Sequence, residues 1–258
     1  MAKTKEILTL AVEIADTLLR NGSEIYRVED TVMHILSSYD IEDYDVYVLS
    51  NGIFASANEN KEDACSMIRH VPLGKTHLGR ITALNQLSRE ICSGECSVDE
   101  AWIRLEECKK IPEVKGFAQI FFCGLGSASF SYLFGGHAID ALFAFFIGLL
   151  LQVYLNVSKK HHTSSFIQNI FGSGFVTICS LLVFSTGLPV MHDKIVIGCI
   201  MALVPGIALT TSIRDFFNGD YLSGTIHLID ALLTSFSIAV GVGAIMTIYR
   251  MLTGGVLL

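Results

Sequence analysis

Apolar residues recur at helical spacing from Lys3 to Arg20 (Ile7, Leu10, Ala11, Ile14, Leu18), predicting an amphipathic helix that the Asn21-Gly22 pair closes. Ser23 then stands as the N-cap of a second helix, SEIYRVEDTVMHILSSY, with Ile25, Val28, Val32 and Ile35 on its apolar face. The period shortens to two in DYDVYVLSNGIFASAN, where Asn51-Gly52 marks a hairpin, and ACSMIRHVPLG adds a third strand. Helical spacing returns in THLGRITALNQLSREICSG and SVDEAWIRLEECKKI, and Pro112 ends this part. Residues 1–115 therefore read as an α+β domain of order α-α-β-β-β-α-α.

Beyond it the polar faces vanish. Gly116–Gly136, Ala141–Ser158, Thr163–Met191, Ile195–Ile213 and Ala231–Tyr249 contain no charge, and each approaches or exceeds the ~18 apolar residues of a membrane span. The expected fold is a cytoplasmic α+β domain, 1–115, followed by an all-α membrane domain of five transmembrane helices, 116–258.

Composition sharpens this division. The chain is 51% hydrophobic with a mean hydropathy of +0.52, and 17% of it is charged, against roughly 25% in soluble domains. Residues 1–116 hold 13 Lys/Arg and 20 Asp/Glu, while residues 117–258 hold 5 of each and no glutamate. Nothing in this balance suits nucleic acid. Lys109, Lys110, Lys115, Lys159, Lys160 and Arg214 fall on one side of the expected spans, against Lys194 and Arg250 on the other. That bias places the N-terminal domain in the cytoplasm and the C-terminus outside a plasma membrane. The acidic residues within the first apolar pattern read as an amphipathic helix rather than a signal peptide. Seven cysteines form no CxxC pair, so neither a metal site nor a cofactor is expected.

Two features of the apolar half carry chemistry. Pro205-Gly206 interrupts the fourth run; in lipid such a break persists where protein or a wet cavity satisfies the freed backbone groups. Packing at a plain kink would also account for it. In the last run Ser223, His227, Asp230, Thr234, Ser237 and Gly241 are spaced by 4, 3, 4, 3 and 4, which sets them on one helical face. A carboxylate in hydrocarbon costs at least ~2.5–3.5 kcal/mol, so this stripe is expected to face other helices or water. His227 and Asp230, at i and i+3, can share a proton. Arg214, Asp215 and Asp220 follow the break as a cytoplasmic gate, with a solvent-exposed Arg214-Asp215 pair as the alternative, and Asp140 opens the second span as an outer-side site or an interfacial residue. In the polar half Arg27, Glu29, Asp30 and Arg80 mark a regulatory or gating surface; an intrahelical ion pair would also explain Arg27, and a solvated face Arg80, Asn85 and Arg89. No nucleophile motif, phosphate loop or telling carboxylate pair is present, so an enzyme is not expected. The interrupted helix, the charged turn and the polar stripe together suggest a path for a polar solute.

The same residues carry a resemblance. VPGIALTTSIRDFFNGDYLSGTIHLIDALLTSFSIAVGVG, GSEIYRVEDTV and THLGRITALNQLSREICSG resemble, in that order, segments of the threonine/serine exporter family, and the similarity runs from about Ile7 to Tyr249. It implies a secondary, proton-coupled exporter of small amino acids or of a dicarboxylate such as succinate, with Asp230 and His227 as proton carriers. Full-length members carry a second block of spans. The resemblance therefore implies the larger subunit of a split pair, with a small membrane subunit as partner and a homo-oligomer compatible with it. The rival reading is a membrane-anchored sensor or enzyme whose cytoplasmic domain is the active part.

Overall fold

A computed structural model describes residues 2–58, 64–72, 74, 76–114, 116–160 and 164–253. It is 72% helical, with ten helices and a single three-stranded sheet among the described residues. The chain divides into two compact units: Met1–Glu113 with Arg214–Ile226, and Val114–Ile213 with His227–Leu258.

The first unit is built around α1 (Ala2–Arg20) and α2 (Ile25–Ser38). Ile7, Leu10, Ala11, Ile14 and Leu18 of α1 pack with Ile25, Val28, Val32 and Ile35 of α2 in one buried core, so the apolar stripes meet face to face. Glu24, not Ser23, occupies the N-cap of α2, and its side chain makes no cap bond there. Strands β1 (Asp43–Leu49), β2 (Gly52–Asn58) and β3 (Ala64–His70) form an antiparallel sheet in sequence order. Leu49 lies opposite Gly52 across the hairpin, and Val48, Ile53, Ala55 and Ala57 face the core. Helices α3 (Leu78–Cys92) and α4 (Val98–Lys109) complete it, with Ser97 capping α4 by accepting from Glu100 N–H at 3.4 Å.

The second unit holds α5 (Gly116–Leu133), α6 (Ala138–Lys160), α7 (Ser165–Ser185), α8 (His192–Ile200), most of α9 (Gly206–Phe217) and most of α10 (Tyr221–Leu252). Small residues let these helices approach closely. A Cβ at Gly148 of α6 would overlap Ser127 of α5, and one at Gly198 of α8 would overlap Ser127 and Ser131. Such contacts replace the missing hydrophobic drive between helices in lipid.

The expectation of five spans is overturned. Three helices among the described residues are long and apolar enough to cross a membrane: Ala138–Lys159, Ser165–Ser185 and Tyr221–Leu252. The fourth run fails because it is two helices. At 1.5 Å per residue, the nine residues of α8 and the twelve of α9 reach roughly 14 and 18 Å, short of the ~30 Å hydrocarbon core. Between them Leu203 and Val204 N–H both donate to Ile200 O and Gly206 N–H donates to Val204 O, and Pro205 has no donor to continue the ladder. The first run fails on composition: Gln119, Ser127, Ser129, Ser131 and three glycines dilute the apolar character of α5. The fold is mostly helical with a small N-terminal sheet, not an α+β domain joined to five spans. Lys115 lies outside the described residues.

Candidate functional site

Two places bring the polar residues together, one in each unit. In the first unit the segment Arg214–Ile226 comes from the end of α9 and the start of α10. Its Arg214 forms an ion pair with Glu24, whose other oxygen is 2.6 Å from Arg27 Nε. Ser223 accepts a hydrogen bond from Ser50 N–H at 3.2 Å, in the turn of the β1–β2 hairpin. Glu29 accepts from Val48 N–H at 3.2 Å. Burial pushes the Glu29 carboxyl above its usual range, the Val48 bond opposes this, and the nearby Asp220 adds repulsion. Asp215 is buried to 1% exposure, and Asp220 ends the turn after Gly219. The structure thus joins Arg27 and Arg214 through Glu24 and brings Asp220 near Glu29 in a charged junction, with Asp215 next to Arg214 along the chain. Asp30 lies on the exposed side of α2 beside His34, at 3.3 Å. Arg80 stands apart: its Nε donates to Ile111 O at 3.0 Å and its guanidinium to Asn21 Oδ1 at 3.4 Å, tying the end of α1 to the end of α4.

In the second unit the stripe on α10 is not uniform. Ser237 and Gly241 are buried, and Gly241 lies against Ser173 and the Ile170 carbonyl of α7. His227 and Thr234 are half-buried, and Asp230 is exposed. Pro205 is half-buried and Gly206 exposed, with open space where a Cβ would stand. A cavity of about 420 Å3 opens beside the interruption. Gln119 and Ser127 of α5, Gln152 and Lys159 of α6, and Met201 and Ala202 at the break line it. The Ser127 hydroxyl is buried and makes no hydrogen bond of ordinary geometry, with Gly148 and the thiols of Cys123 and Cys199 close to it. An unsatisfied buried hydroxyl is costly, and a polar solute or water would relieve it.

Asp140 is fully buried where the starts of α6 and α8 meet. One oxygen accepts from His137 N–H at 2.7 Å and the other from Met191 N–H at 2.8 Å, so it clamps two helix starts at once. Among the described residues no group of three or more His, Cys, Asp or Glu could hold a metal.

Sequence reasoning missed Glu24, Gln119, Ser127, Gln152 and Lys159. Gln119 and Gln152 carried a signal, since an amide inside an apolar run has to find a partner. Nothing local marks Glu24 as the partner of an arginine far along the chain.

The sequence model of the threonine/serine exporter family, ThrE, matches residues 9–249. The chain belongs to the threonine/serine exporter family. It is 24% identical over 244 residues to a Mycobacterium tuberculosis (strain ATCC 25618 / H37Rv) protein named "Probable threonine/serine exporter", covering 93% of this chain and 45% of that one. It is 25% identical over 246 residues to the threonine/serine exporter of Corynebacterium glutamicum, covering 92% of this chain and 50% of that one. The chain thus spans about half the length of the curated relatives it matches. No solved structure matches it. Family membership and the three long apolar helices make this a membrane protein.

Proposed function

We propose that this member of the threonine/serine exporter family is one half of a secondary exporter for small polar metabolites, threonine and serine first and a dicarboxylate such as succinate second. The carrying observation is the cavity of about 420 Å3 beside the interrupted fourth run, where two amides, a hydroxyl and Lys159 converge among apolar helices. Lys159 stands exposed at the last turn of α6, where a lysine reaches water, and so puts a cation at the edge of this cavity. Lys159 suits a carboxylate, and Gln119 and Gln152 supply donors and acceptors for the rest of the solute. The relatives' names favour threonine and serine as that solute. In this reading a small membrane subunit supplies the second half. The proton gradient drives export, with Asp230 and His227 as proton carriers on α10.

Membrane vesicles loaded with labelled threonine, serine or succinate test this, with and without a proton gradient and with and without the second subunit. Gradient-dependent efflux of threonine or serine that Lys159→Gln and Gln152→Leu reduce, at unchanged abundance, supports the reading. Wild-type efflux in both variants removes the cavity from the path. Full transport by this chain alone removes the need for a second subunit.

A further inference from the structure

The first unit contains a cleft that the exporter reading does not use. It lies between α2 and α3, with a volume of about 470 Å3. Arg27, Asp30 and Thr31 face it from α2, and Asn85, Arg89 and Cys92 from α3. Both walls belong to segments that carry the family resemblance.

The charges on these walls are not equivalent. Arg27 lies 2.6 Å from Glu24, a carboxylate it shares with Arg214. Among the described residues Asp30 pairs with His34 alone, at 3.3 Å, an imidazole charged only when protonated. Arg89 makes no ion pair among the described residues, although the surrounding domain is rich in acid. Asp30 and Arg89 line one cleft from opposite walls and do not pair with each other.

A cleft that holds one carboxylate and one guanidinium apart complements a solute carrying both signs. A solute carboxylate would take the fork of Arg89 in two parallel hydrogen bonds. Its ammonium would meet Asp30, and Thr31 and Asn85 offer neutral donors and acceptors between them. A dicarboxylate would satisfy Arg89 but set a like charge against Asp30, and a simple amine would do the reverse. We propose that this cleft binds a small α-amino acid as its zwitterion, an effector site separate from the solute path.

Cys92 on the cleft wall provides a local reporter. Burial pushes its thiol pKa up, so alkylation is slow and is followed over a long course at neutral pH, where threonine keeps its ammonium and the amines do not consume the reagent. The purified full-length chain is treated with N-ethylmaleimide, and the rate at Cys92 is read by mass spectrometry with threonine, succinate or n-butylamine present. Threonine is expected to slow Cys92 several-fold while succinate and n-butylamine do not. Arg89→Gln and Asp30→Asn should each abolish the protection. No slowing by threonine, equal slowing by succinate, or protection retained in both variants overturns the proposal. Equilibrium dialysis of labelled threonine is the second measurement. Each substitution should weaken one class of site by roughly tenfold or more, and unchanged binding in both variants overturns it. Neither assay needs flux, so a failure of the exporter reading would appear in vesicles and leave this result standing.

Discussion

Replacing Asp140 by alanine removes the acceptor for two backbone N–H groups at once. The carboxylate is fully buried and holds His137 N–H at 2.7 Å and Met191 N–H at 2.8 Å. Hydrogen bonds to a charged group contribute about 1.5–3 kcal/mol each, so Asp140→Ala should destabilise the second unit by about 3–6 kcal/mol. Asparagine keeps one acceptor oxygen and turns an amide donor toward the other N–H, so Asp140→Asn should cost about half as much. The assay is unfolding in mixed micelles titrated with sodium dodecyl sulfate, followed by circular dichroism. A stability for Asp140→Ala within ~0.5 kcal/mol of wild type, the range of neutral surface changes, would refute the clamp. Loss of transport at full stability would instead make Asp140 a solute residue.

The Arg214–Glu24 pair is part-exposed at both ends, 44% and 24%, so breaking it should cost only about 0.2–1 kcal/mol. Because Glu24 also holds Arg27 at 2.6 Å, Glu24→Gln should cost more than Arg214→Gln in thermal melts; equal losses would count against the shared pair. Glu29 has a folded-state pKa raised by burial, so its contribution to stability is present at acid pH and is lost as pH rises through that raised value. Glu29→Gln should remove this loss while keeping an acceptor for Val48 N–H, and melting curves of the two proteins that stay parallel from about pH 4 to 7 would refute it. A leucine at Gly241 would overlap Ser173 and the Ile170 carbonyl, whereas Gly243 has open space around it. Gly241→Leu should therefore cost about 1–3 kcal/mol in the same micelle unfolding and Gly243→Leu almost nothing; equal stability would place α10 elsewhere.

The first unit was the more legible one, for a physical reason. Its helices have one wet face, so Ile7 through Leu18 and Ile25 through Ile35 announce their core sides by period, and Asn51-Gly52 announces its hairpin. In the second unit that contrast is lost. Charge-free length alone does not encode continuity, and Ile195–Ile213 reads as one span until its middle is seen to break the ladder. The glycines and serines that thin α5 are the residues that let α6 and α8 approach it, so apolar counting misjudged a packing surface. At the charged junction Arg27, Arg214 and Asp220 could each be named from local pattern. Their assembly through Glu24 and Glu29 joins segments remote in sequence, and spacing carries no trace of it.

The central claim is that the cavity beside the interrupted run is wet. Cys123 lines it, while Cys179 of α7 packs against the apolar core of the same unit. In native membranes, trimethylammonium-ethyl methanethiosulfonate, a reagent that does not enter lipid, should modify Cys123 and spare Cys179, with threonine or serine slowing the reaction. A Cys123 that yields only to the apolar reagent N-ethylmaleimide would show a dry or lipid-filled cavity and contradict the account.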